Sequence, residues 1–258
     1  MVERAHALVT GASSGIGECF ARALAARGRS LVLVARSEEK LKSLAEELQQ
    51  TNGVGVETFT VDLSEPGAPP RLAQALEAGG LEIDLLINNA GFGAQGHFWE
   101  LSLERQSEMI RLNILALVEL THLLLGPMVR KRRGAIINVS STASFQPMPY
   151  TGVYSATKSF VTNFSEALAA EVRPHGVTVV TLCPGGTKTD FFKAGNYVRH
   201  RLPGGLQDPR EVVEAGLKAL DRGGGLTIPR LLNNLGLFAQ RFLPRSLVVK
   251  VTAGMFRP

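Results

Sequence analysis

A chain of 258 residues, 45% hydrophobic and 20% charged, can bury a sizeable core as one α/β domain and is too ordinary in composition for a disordered protein. Its two cysteines, Cys19 and Cys183, form no spaced pair, which excludes a disulfide framework or cysteine-rich zinc site and suits a reducing, cytoplasmic setting. The net charge of +5 is concentrated: six cations and no acid lie from Arg222 onward, leaving a near-neutral body without the basic, aromatic stripe of a nucleic-acid reader.

The first strand, AHALVT (Ala5–Thr10), starts so close to Met1 that no signal peptide is expected. Gly15 to Gly28 reads as a helix, SLVLVA (Ser30–Ala35) as a strand, and SEEKLKSLAEELQ as an amphipathic helix. VETFTV (Val56–Val61) is the third strand, followed by a helix around Pro70–Ala78. IDLLIN (Ile83–Asn88) is the fourth, with a long helix from about Leu103 to Arg132. That helix ends on the basic run Arg130–Arg133 before Gly134, where the helix dipole favours cations and glycine can cap. AIINVS (Ala135–Ser140) is the fifth strand, a helix runs from near Val153 to Val172, and VTVVTL (Val177–Leu182) is the sixth strand. No unbroken apolar run is expected to span a bilayer.

These strands are continuous and rich in Val, Ile and Leu, as a sheet covered on both faces requires. Strand–helix alternation with short joints predicts a single-domain α/β fold, a doubly wound parallel sheet with helices on both faces. Such sheets bind ligands beyond the carboxyl ends of their strands. There the glycine-containing segment 195–205, within 191–206, is expected as a lid or as a plain surface loop.

TGASSGIG (Thr10–Gly17) joins the first strand to the first helix. Gly11, Gly15 and Gly17 permit a tight turn against a diphosphate, and the helix N-terminus offers free N–H groups. At the end of the second strand, where an acid commonly accepts from a ribose, the chain reads Ala35-Arg36. A guanidinium binds a 2′-phosphate that a carboxylate would repel, so Arg36 points to NADP(H), with Ser13 and Ser14 adding hydroxyls. Asp62, closing the third strand, is placed either for the adenine amino group or as a turn cap.

With NNAG (Asn88–Gly91) in the same chain, the sequence resembles the short-chain dehydrogenase/reductase family over roughly Ala5 to Phe192. Asn113 in RLNILA, Ser141 in NVSST, Tyr154 and Lys158 in YSATK, and PGGTKT (Pro184–Thr189) occur in that family's order. The resemblance implies a Rossmann-like, single-domain, NADP-dependent oxidoreductase with the tetrad Asn113, Ser141, Tyr154 and Lys158. It also implies cofactor contacts from Ile16, Leu63, Asn89, Ala90, Gly91, Pro184, Gly185, Thr187 and Thr189, and from Tyr154 and Lys158 themselves. Homodimers or homotetramers built through the long helices are expected on the same ground. Chemistry agrees independently: carbonyl reduction needs a proton donor and support for developing negative charge. Tyr154 has Lys158 four residues on, and an ammonium there should lower the phenol pKa. Tyr150 lacks such a partner and is expected as a wall of the substrate pocket. Ser140 should face away from Ser141. Asn113 is either a water relay to Lys158 or a satisfied core amide. No metal is required.

The tail 226–258 departs from the family pattern. LLNNLGLFAQRFL has helical apolar spacing, and a second such segment follows Pro244. Three readings stay open: packing on the domain or a sister subunit, a cap over an apolar pocket, or an amphipathic contact with a membrane. The expected activity is reduction of a ketone or aldehyde, or the reverse, on an apolar small molecule. The alternatives are a 3-oxoacyl-type reductase and a non-catalytic dinucleotide-binding regulator.

Overall fold

The computed structural model describes residues 5–197 and 205–258. Among them the chain alternates β1 (His6–Thr10), α1 (Gly15–Ala26), β2 (Ser30–Ala35), α2 (Glu38–Asn52), β3 (Val56–Thr60), α3 (Ala68–Ala78) and β4 (Ile83–Asn88). The long helix follows as α4 (Leu103–Ile110), a π-helical turn (Arg111–Ala116) and α5 (Leu117–Lys131). Then come β5 (Gly134–Val139), α6 (Gly152–Val172), β6 (Val177–Leu182), α7 (Phe191–Ala194), α8 (Pro209–Asp221), β7 (Gly225–Thr227), α9 (Leu231–Gln240) and α10 (Arg245–Phe256).

The seven strands form one parallel sheet in the order β3-β2-β1-β4-β5-β6-β7. Consecutive strands add outward from β1 on one side, and β4 restarts on the other. The order therefore reverses between β1 and β4, and a crevice opens there at the carboxyl ends. Each face carries its own core. Phe20, Leu24, Leu41 and Leu217 pack on one side, and Leu72, Leu120, Met128 and Leu168 on the other. Strands two and six are buried or nearly so along their length, which explains their unbroken apolar sequences.

Several expectations are corrected. No element was expected after Leu182 in the body of the fold, yet α8 and β7 complete the sheet. Asp208 caps α8 by accepting from the Arg210 N–H at 2.8 Å, and Pro209 opens it, a start signal that was legible. A three-residue strand carries no such signal. The long helix is not uniform, since the π turn falls at RLNILA. Its end is made by Arg132, which itself adopts the left-handed conformation at φ 49°, while Gly134 already begins β5. Lys131 and Arg133 pair with Glu82 and Asp84. By length and composition alone Leu103–Lys131 passes as a bilayer-crossing helix, its most apolar 18-residue window having a mean hydropathy of 1.7, as the core helix of a soluble protein also can. It lies along the sheet, with Met109, Asn113, Leu120, Thr121 and Met128 buried.

Candidate active site

The Gly-rich turn is locked to the neighbouring loop by one hydroxyl. Thr10 Oγ1 donates to the Ile87 carbonyl and accepts from the N–H groups of Asn89 and Ala90 at 2.9 and 3.0 Å. Asn89 Nδ2 returns to the Thr10 carbonyl at 2.9 Å. Gly11 and Gly15 sit at φ 65° and 58°, which glycine tolerates best, and a Cβ on Gly17 would overlap the Gly11 carbonyl. Ser14 caps α1 without spending its hydroxyl on it, and the first N–H groups of the helix have no intrahelical partner. These features fit a dinucleotide diphosphate: an uncommitted hydroxyl, free donors and a positive helix end.

At the end of β2, Arg36 is 61% exposed at its side chain, with Asp62 and Glu108 carboxylates 3.5 and 3.6 Å away. Such long, exposed pairs are worth little and yield readily to a phosphate. Asp62 spends Oδ1 on the N–H and hydroxyl of Ser64, at 2.9 and 2.6 Å, so the turn-capping alternative holds for that oxygen. These hydrogen bonds and Arg36 hold its carboxyl below the usual range despite burial. Sequence reasoning missed Ser37. It caps α2 with a free hydroxyl beside Arg36, a Ser at a helix start after a basic residue being the available signal.

Across the crevice, Ser141 lies two residues beyond the end of β5 at Val139, and α6 brings Tyr154 and Lys158 to the same cleft. Tyr154 and Ser141 both line the cleft, and Ser141 Oγ donates to the Pro184 carbonyl at 3.4 Å. Ser141 Oγ also accepts from the Ala143 N–H at 3.1 Å. Ser140 faces the other way, onto the Lys158 carbonyl and Thr162, as strand alternation predicts. Lys158 Nζ donates to the Val139 carbonyl at 2.8 Å and lies 6.0 Å from the Tyr154 ring centroid.

The expected lowering of the phenol pKa is corrected. Burial pushes Tyr154 up to about 12, with the Ser141 hydroxyl only partly opposing it. Burial likewise drives Lys158 down to about 8. Desolvation penalises both charged forms, the phenolate and the ammonium.

Asn113, in the π turn, is a fully committed amide. Its Oδ1 accepts from the Phe92 N–H at 3.1 Å, and Nδ2 donates to the Phe92 carbonyl and Thr157 Oγ1 at 3.0 and 3.1 Å. The core-amide alternative therefore describes its side chain. Gly91 nevertheless keeps a gap between Asn113 and Lys158: a Cβ there would stand 2.9 Å from Asn113 Oδ1 and 3.5 Å from Lys158 Nζ.

One cleft of about 920 Å³ joins the two ends. It is lined by Gly11, Ser13, Ser14, Gly15, Ile16, Arg36, Asp62, Leu63, Asn89, Ala90 and Gly91, by Ser141, Tyr154 and Lys158, and by Pro184, Gly185, Thr187 and Thr189. Gly17 and Asn113, the other expected residues, stand behind its wall. The Thr187 hydroxyl donates to the Gly185 carbonyl, and Thr189 Oγ1 accepts from the Phe191 N–H at 3.3 Å. The far end is apolar, with Met148, Phe191, Phe192 and Tyr197 beside Tyr154. Tyr197, unforeseen, pairs its hydroxyl with Thr151 at 3.0 Å and packs on Phe191. Residues 198–204 of the expected lid lie outside the described residues.

Tyr150 is not a wall of this cleft. At φ 66° its ring turns onto His97, and it borders a separate hollow of about 440 Å³. The tail walls the cleft instead. Gln240 donates to the Phe145 carbonyl, Thr252 to Pro147, and Gln95 to Phe256, laying α9 and α10 over the apolar end. Of the readings open for the tail, the cap matches this geometry.

A glycine-rich turn at the switch point of a parallel sheet, sharing one cleft with a buried tyrosine and lysine, is the arrangement of a dinucleotide-dependent oxidoreductase. The family model for short chain dehydrogenase matches residues 5–197. The Mus musculus 17-beta-hydroxysteroid dehydrogenase type 3 is 38% identical over 220 residues, covering 84% of this chain and 69% of the relative. The very-long-chain 3-oxoacyl-CoA reductase of Phaeosphaeria nodorum is 34% identical over 263 residues, covering 96% and 75%. Among solved structures, a short-chain dehydrogenase from Sphingobium yanoikuyae in complex with NADPH superposes with a TM-score of 0.83 at 33% identity, covering 93% of this chain and 96% of that one. The chain belongs to the short-chain dehydrogenase family, whose members are oxidoreductases of CH–OH and C=O groups. It spans 52% to 75% of the length of eight curated relatives that it matches.

Proposed function

We propose that this protein is an NADP(H)-dependent reductase of bulky or long-chain apolar ketones, or the reverse dehydrogenase, working within one domain. The observation that carries this reading is that Ser141, Tyr154 and Lys158 line one cleft together, at the junction of the Gly-rich turn and the apolar end. When bound, NADPH supplies the hydride. Tyr154 holds the proton for the carbonyl oxygen, and its high pKa keeps it protonated for that task at neutral pH. Ser141 donates a second hydrogen bond to the same oxygen. Lys158 is charged below pH 8 and supports the phenolate left after transfer. Asn113 holds the Phe92 backbone in the loop after β4 and borders the gap through which a water would reach Lys158. Arg36 and Ser37 hold the adenosine 2′-phosphate, and the Gly11–Gly17 turn holds the diphosphate.

The substrate class rests on the apolar far end of the cleft and on the bulky substrates named for the two curated relatives. A 3-oxoacyl-type reductase is the second reading, favoured by the 96% coverage of this chain in the comparison with the fungal reductase. The chain works in the cytoplasm or at a membrane facing it. It dimerises through the long helix and α6, where Leu103, Ile110, Leu115, Leu123 and Phe160 are exposed. NADPH oxidation followed over a panel of steroid, 3-oxoacyl and small ketones tests the activity. Binding of NADPH without turnover of any of them overturns it in favour of a regulator.

A further inference from the structure

The tail helix α9 buries none of its residues. It is apolar on two sides. Leu232, Gly236, Leu237 and Gln240 look into the cleft. Leu231, Leu235, Phe238 and Phe242 follow a 4-3-4 spacing, forming a second stripe outside the cleft lining, with exposures of 73, 56, 57 and 75%. The Phe238 and Phe242 rings touch edge-on, 5.5 Å between centroids. Leu247 of α10, 43% exposed and outside the cleft lining, adds to this apolar surface. Arg241, just past the end of α9, and Arg245 and Lys250 of α10 are exposed, and no acid occurs after Asp221. A contiguous apolar patch of this kind on a soluble face calls for a partner.

We infer that the outer face of α9 and α10 docks on an anionic lipid bilayer. Apolar side chains interleaved with cations are the composition that inserts at an interface while pairing with acidic headgroups. A second copy is disfavoured by the same charges, because a two-fold contact would set this acid-free basic face against itself. The inference deepens the reductase reading and rests on it in one respect: the cleft floor beneath α9 would then receive its apolar carbonyl substrate from the lipid phase.

The test is sedimentation of the full chain with phosphatidylcholine vesicles, with and without phosphatidylglycerol. Three cations near the surface should strengthen binding to the anionic vesicles on the order of a hundredfold at low salt. The double variant Leu235→Ser/Phe242→Ser, changed outside the cleft, should lose on the order of a hundredfold in partitioning. It should keep wild-type kcat/KM for a water-soluble ketone, with an unchanged size in solution. No vesicle binding, equal binding by the variant, or conversion of the variant to a smaller oligomer overturns the proposal, the last in favour of a second copy. Failure of both proteins to oxidise NADPH with any ketone would overturn the reductase reading and leave the docking result standing.

Discussion

Replacing Lys158 by Met should change how stability depends on pH. The ammonium is buried, and its pKa falls from 10.5 to about 8 on folding. Between those values the unfolded chain binds more protons than the native one, so stability rises with pH across that window. From pH 7.5 to pH 10 the shift corresponds to about 2 kcal/mol. Met keeps the length of the side chain and removes the titration. It also leaves the Val139 carbonyl without its donor, at a cost of about 1–3 kcal/mol that does not vary with pH. Urea unfolding of both proteins at several pH values up to 10 isolates the difference. The wild type should gain about 2 kcal/mol relative to the variant over this range. Parallel curves would refute the claim that desolvation governs the charge at the floor of the site. The range stops at pH 10 because Tyr154, raised to about 12, reverses the slope above that.

Tyr154→Phe should lower kcat for reduction by about 10²–10⁴-fold while NADPH binding, read by fluorescence, is unchanged. Arg36→Asp should raise the KM for NADPH by about 10–100-fold and leave NADH nearly unaffected, and an equal effect on both would remove the 2′-phosphate assignment. Asn113→Ala should destabilise the fold by about 1–3 kcal/mol, because the buried Phe92 N–H and carbonyl lose their partners. A variant with unaltered melting but slowed turnover would show that its importance lies in the relay alone.

The catalytic pair was legible because its geometry is local: Tyr154 and Lys158 are one helical turn apart, and any helix puts them on one face. The phosphate cradle was legible for the same reason, being one strand-to-helix turn with glycines at 11, 15 and 17. The fate of Tyr150 was not. It depends on a left-handed residue before α6 that turns the ring toward His97, and nothing in PMPYTG encodes a positive φ at a tyrosine. Tyr197 was overlooked because its closeness to Tyr154 is made by α7 folding back across Gly93, where a Cβ would strike Phe191 and the Tyr197 hydroxyl.

By itself the sequence determined the order of strands and helices through β6, the parallel sheet, the glycine-rich turn and the placing of Tyr154 and Lys158 on one helix face. Hydrophobic continuity and helical spacing act over a few residues, so they survive without knowledge of what packs where. Only the tertiary structure decided the charge balance of the site and the use of the tail. Burial raises the Tyr154 pKa where a lowering was expected, and burial is a property of everything that surrounds it. The tail's stripes have helical spacing in either role. Only the hydrogen bonds from Gln240 and Thr252 to the Phe145–Pro147 loop determine which face closes the cleft and which remains exposed.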